Sequence, residues 1–142
     1  MNNNLYDIFI THAWRYHDDW TRMEELLDSY KELNWRNFSV PWHDPAMEAH
    51  TEIGGKYLRS LLESQIIPVC GVILLNSVYE TKSSRKWVDY EVEIAKKHHK
   101  TILAVPSFGT NDVLNEVKKL ADMIVSWNGE EIINSLYLRA PS

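Results

Sequence analysis

The run Val69-Cys70-Gly71-Val72-Ile73-Leu74-Leu75 carries no charged or amide side chain at any position and is bounded by Pro68 and Asn76. A strand with one wet face alternates apolar and polar residues; one without alternation must be covered above and below, as central strands of parallel sheets are. The rest of the chain supplies what such a strand needs. Tyr6 to Ile10 reads as a first strand, Phe38-Ser39-Val40 as a brief second stopped by Pro41, Thr101 to Val105 as a fourth halted by Pro106, and Met123 to Val125 as a fifth. Between them lie stripes at helical spacing: Trp20, Met23, Leu27 and Tyr30 behind a cap at Asp18 or Asp19, then Ile53, Tyr57, Leu58, Leu61 and Leu62. Further helices are expected at about 84–98, 113–120 and 130–138. Strict alternation predicts an α/β, doubly wound three-layer sandwich with a five-stranded parallel sheet, flavodoxin-like in its strand order 2-1-3-4-5. A chain of 142 residues suits one domain, 1–142.

Ligands of such sheets bind beyond the carboxyl ends of the strands where the strand order reverses. That directs attention to the loops expected after strands one and three, Thr11 through Asp18 and Asn76 through Ser84. The five glycines form neither GxGxxG nor a P-loop, so a nucleotide would have to be held without either motif. Thr11-His12-Ala13-Trp14 lacks the carboxylates of a phosphorylated receiver and the hydroxyl-rich cradle of a flavodoxin. A net charge of −5 argues against a nucleic-acid partner bound through phosphates. The apolar stretch Ile66 to Leu75 is about half a membrane span, and the amino terminus has no basic segment leading into an apolar one; a soluble, cytoplasmic protein without membrane contact is expected. One cysteine, Cys70, forbids an intramolecular disulfide. His98 and His99 point about 100° apart on a helix, and His43 and His50 lack a ligand spacing, so no metal is expected.

The segment Ser83 to Ala95 is the most informative. At helical spacing Trp87, Glu91, Ile94, Ala95 and His98 share one face, and Asp89, Glu93, Lys96, Lys97 and Lys100 share another. The second set is a solvated stripe. Glu91 stands on the otherwise apolar face, one turn beyond a tryptophan and near the expected ligand crevice, where a carboxylate is a candidate for chemistry.

Phe9-Ile10-Thr11-His12, Val40-Pro41-Trp42-His43-Asp44-Pro45, Trp87-x-x-x-Glu91 and the tail Ala121-Asp122 through Asn128 together resemble a TIR-like domain. The likeness is greatest to the TIR proteins of bacterial Thoeris anti-phage defence, although Thr11 stands where that group usually has serine. The resemblance implies an NAD+ glycohydrolase or ADP-ribosyl cyclase that releases nicotinamide and makes a cyclic ADP-ribose-type or conjugated signal. Glu91 would be catalytic. NAD would be the substrate, and no separate cofactor is needed. Thr11, His12, Arg15, Trp42, His43, Asp44, Tyr79 and Trp87 are the candidate substrate contacts: Arg15 for the diphosphate at the start of the first helix, the aromatics for stacking, His43 and Asp44 for ribose. A separate effector protein sensing the product and TIR–TIR self-association are the implied partners. A non-catalytic TIR adaptor and a nucleoside deoxyribosyltransferase-like enzyme are the alternatives.

Overall fold

The computed structural model describes residues 5–12, 17–31, 33–39 and 52–139. In them the elements run β1 (Leu5–Ile10), α1 (Asp18–Ser29), β2 (Asn34–Asn37), α2 (Glu52–Ile66), β3 (Gly71–Leu75), α3 (Asn76–Glu80), α4 (Lys82–Lys97), β4 (Thr101–Val105), α5 (Asn115–Leu120), β5 (Met123–Ile124) and α6 (Gly129–Arg139). The sheet has five strands in the order β2-β1-β3-β4-β5, and every pairing is parallel. This is the flavodoxin-like order that the alternation of apolar runs predicts.

β3 lies at the centre and every one of its residues is buried, which explains why its sequence shows no alternation. Its register sets Ile8 against Gly71 on one side and Thr101 against Gly71 on the other. Right-handed crossovers divide the helices between the two faces. Tyr30, just past α1, packs beside Gly129 at the start of α6, so these two helices share a face. On the opposite face Arg59 of α2 lies over the Tyr90 ring of α4, 5.9 Å from its centroid, and Glu63 approaches Lys97 at 3.8 Å. Met23, Leu27, Ile132 and Leu136 fill the first interlayer; Leu62, Ile66, Val88, Val92 and Ala95 belong to the buried core on the other helices.

Three local expectations are corrected. The second strand is Asn34–Asn37, not Phe38 to Val40. It is an edge strand paired only with β1, with its residues alternating between exposed and half-buried, so its composition carries little apolar signal. Phe38 continues the ladder by one bond, its N–H donating to the Ile8 carbonyl at 2.9 Å; Val40 lies outside the described residues. The segment after β3 is not a loop but the short helix α3, where Asn76 and Glu80, one turn apart, are joined at 3.0 Å. The first helix is capped by His17, whose Nδ1 accepts from the Asp19 N–H; Asp18 and Asp19 occupy the first turn.

Gly71 carries the closest packing at the centre of the sheet. A Cβ there would overlap Leu136 Cδ2, on a side chain only 1% exposed and unable to swing into solvent. Gly71→Ala is expected to destabilise the fold by about 1–3 kcal/mol, read as a lower urea midpoint at unchanged slope. An unchanged midpoint would show that Leu136 has room to yield.

Candidate functional site

The carboxyl edge of the sheet is where the backbone ladder runs out and side chains take over. Thr11, the first residue beyond β1, donates its N–H to the Ile73 carbonyl at 3.0 Å and accepts the Leu75 N–H on Oγ1 at 3.0 Å. Both bonds are buried, so the Thr11 hydroxyl satisfies a β3 amide that the neighbouring strand cannot reach. His12 follows and is fully buried, its ring tilted against Phe9 with centroids 5.3 Å apart. Burial pushes the His12 imidazole down to about 3, so it is neutral at physiological pH.

The His12 backbone N–H donates to Glu91 Oε1 at 3.3 Å. Glu91 has no solvent exposure, although it is a carboxylate in the middle of α4. Its neighbours on that helix explain why. Val88, Val92, Ile94 and Ala95 are buried, whereas Asp89, Glu93, Lys96 and Lys97 are exposed, so the apolar face of α4 carries Glu91 inward against the end of β1. Trp87, one turn earlier, is half-buried and lies edge-on to Tyr90 at 6.3 Å between centroids. Isolated ionised carboxylates are costly to bury, and a backbone amide aimed at one oxygen offsets part of that cost. The arrangement holds a carboxyl group in a fixed position at the carboxyl edge of the sheet; ionised, it is the element needed where positive charge develops in a transition state.

Two further groups knit the same edge. Asp19 is buried and accepts from Ser77 Oγ at 2.6 Å, from the Phe108 N–H at 3.1 Å and from Arg22 Nη1 at 2.7 Å. Burial alone would raise its carboxyl, but these bonds outweigh it and hold the group below the usual aspartate range. Asn76 accepts the Leu114 N–H at 2.8 Å and donates to Glu80 at 3.0 Å and to Ser107 at 2.9 Å. The sequence does not single out either residue for this role. The only sequence signal for Asn76 is its place as the first polar residue after the apolar run; Asp19 reads as a helix cap, and nothing in its spacing distinguishes it from Asp18.

Of the candidate contacts, Thr11, His12 and Glu91 are brought together at the ends of β1 and β3, with Trp87 on the same face of α4. Tyr79 stands at the end of α3, 7% exposed, with its ring under the Arg85 guanidinium at 5.1 Å and its hydroxyl bonded to Asp89, so little of the ring is left to stack on a ligand. Arg15, Trp42, His43 and Asp44 lie outside the described residues. The start of α1 is already furnished with the Asp18 and Asp19 carboxylates and the His17 cap, which disfavours a diphosphate at that helix end. Among the described residues, no group of three histidine, cysteine or acidic side chains could hold a metal ion, and no helix is long and apolar enough to cross a membrane.

Residues 9–112 match the family model of the Thoeris protein ThsB, TIR-like domain. No curated protein matches the chain. Among solved structures, a CMP N-glycosidase of Clostridium botulinum, BcmB, is similar at 12% identity, covering 92% of this chain and 98% of that one with a TM-score of 0.51. At that identity the likeness concerns the fold.

The buried imidazole gives the site a pH signature. Native His12 takes up a proton only near pH 3, while an unfolded histidine does so at 6.5. The unfolded state therefore binds the extra proton in that window, and stability, full above it, falls as pH drops through it. The unfolding free energy of the wild type, from urea titrations, should decline from pH 6.5 downward more steeply than that of His12→Gln, by up to about 1.4 kcal/mol per pH unit. Parallel profiles would show that His12 is not held neutral.

Proposed function

The chain belongs to the family of Thoeris ThsB TIR-like domains, and on that premise we propose that it is an enzyme that cleaves the N-glycosidic bond of NAD, with Glu91 as its catalytic carboxylate. The observation that carries this reading is the burial of Glu91 at the carboxyl edge of the sheet, with Oε1 held by the His12 amide.

The chemistry needs little else from the protein. An O-glycoside must have its leaving oxygen protonated, so two carboxyl groups are required. In NAD the bond from ribose C1′ breaks towards a cationic pyridinium nitrogen. That nitrogen keeps the electron pair, and nicotinamide departs neutral without an acid. Positive charge then grows on C1′ and the ring oxygen, and a fixed carboxylate in a low-dielectric site stabilises it. Neutral His12 adds no competing positive charge to this site. Attack on C1′ by water gives ADP-ribose. Attack by a nitrogen of the same molecule's adenine gives a cyclic product, which demands a folded substrate and exclusion of water. The cyclic ADP-ribose-type or conjugated product would be a defence signal read by a separate effector protein. Trp87, one turn before Glu91 on α4, would bound the nicotinamide subsite. Trp42, His43 and Asp44 remain proposed contacts of the base and ribose, and Arg15 a proposed contact of the diphosphate through its side chain alone, without the α1 amino end.

Nicotinamide release from NAD, followed by chromatography of the purified chain, tests the reading. Glu91→Gln keeps an oxygen to accept the His12 N–H and should lower the rate by about 10²–10³. An unaltered rate in that variant removes Glu91 from the chemistry, and intact NAD with the wild type at high protein concentration sinks the enzyme reading. CMP serves as the second substrate arm. Release of cytosine in place of nicotinamide would move the proposal to nucleotide N-glycosidases, the activity named for the Clostridium botulinum structure.

A further inference from the structure

A cavity of about 480 Å³ opens at the pole opposite Glu91, among the amino ends of the strands, and is lined in part by Asp7, Cys70, His98, His99 and Lys100. Its volume lies within the range of small-molecule sites. Its charge is one-sided. Asp7, the acidic lining residue, is already held by Arg36 through two bonds, Nε to Oδ1 at 2.7 Å and Nη2 to Oδ2 at 2.9 Å. Burial pushes the Cys70 thiol up to about 11, so it is uncharged. Lys100 makes no ion pair among the described residues, and His98 Nε2 is buried with no hydrogen-bond partner among them. Buried polar atoms in native proteins are nearly always satisfied, so this orphan nitrogen, shielded beside the cavity, lacks a partner that a ligand in the cavity supplies once the ring turns toward it.

The backbone is arranged to present these groups. α4 ends with the Lys100 N–H donating to the Ala95 carbonyl at 2.8 Å and the His99 N–H to the Lys96 carbonyl at 3.1 Å, which closes the last turn and satisfies those two carbonyls. That closure places His99 in the left-handed region at φ 58°, the one non-glycine residue there among those described. Glycine is the usual occupant, and a side chain at this point is held at a cost. Here that side chain lines the cavity. The bonds to Ile94, Ala95 and Lys96 reduce the number of bare carbonyls that the helix end presents to an incoming anion, and the Lys100 ammonium offsets the negative end of the helix dipole that remains.

We propose that this cavity binds a phosphate group, free or on a small phosphomonoester, seated on Lys100 with His98 and His99 as hydrogen-bond donors. The site is independent of Glu91 and of NAD cleavage. Inorganic phosphate titrated into the isotopically labelled full chain, at ionic strength held constant with chloride, should shift the ring signals of His98 and His99 and the amides of residues 98–101, with a dissociation constant on the order of 1 mM. Glycerol phosphate should reproduce these shifts with equal or higher affinity. Lys100→Met should weaken phosphate binding by about tenfold. His99→Gly should raise the melting temperature without phosphate, by relief of backbone strain, and reduce the further rise that phosphate gives. The proposal is overturned if chloride alone produces the same shifts, or if both variants bind phosphate as the wild type does.

Discussion

The end of a parallel sheet leaves backbone amides that no strand can pair, and in this protein a threonine hydroxyl meets that requirement at the point where strand order reverses. The bond from the Leu75 N–H to Thr11 Oγ1, with that from the Thr11 N–H to Ile73, fixes how the chain leaves β1 beside β3. Everything at the carboxyl edge follows from that exit. It aims the next amide, that of His12, at the Glu91 carboxylate, and it leaves the His12 ring in the core where it stays neutral. Loss of the hydroxyl would strand a buried N–H, a penalty of about 1–3 kcal/mol concentrated at the site itself.

Around this stitch the edge is built almost entirely from polar side chains that bridge elements distant in sequence. Asp19 ties the start of α1 to α3 and to the turn after β4; Asn76 ties β3 to Ser107 and Leu114. Low dielectric strengthens such bonds and makes incomplete sets costly, so the network favours one arrangement of the elements at this edge. Glu91 joins the same edge through the His12 amide. A carboxylate is worth most to a developing cation when its position is settled before the charge appears, because no reorganisation is then needed during reaction.

The layers of the fold were legible because each rests on a local pattern with a physical period. The unbroken apolar run of β3 required cover on both faces, and α4 declared its two faces through spacing alone. β2 was misplaced by a few residues because an edge strand buries little and Asn34-Trp35-Arg36-Asn37 therefore need not be apolar. α3 reads as a loop in the sequence because a helix this short depends on the Asn76 contacts across the edge more than on any periodicity. Glu91 could be singled out because a carboxylate on an apolar stripe is anomalous in one dimension as well as three. Asp19 could not, since its partners Ser77 and Phe108 stand 58 and 89 residues away.

The sequence by itself thus determined the alternation of strands and helices, the parallel sheet, and the inward face that carries Glu91, since all three follow from nearest-neighbour chemistry along one element. Only the tertiary structure decided what those groups meet. It turned Thr11 into a stitch between strands, made His12 a neutral buried ring, covered Tyr79 with Arg85 and gathered His98, His99 and Lys100 at the opposite pole. Protonation, solvent exclusion and hydrogen-bond partnership depend on atoms brought close by folding, so no reading of spacing along the chain could supply them.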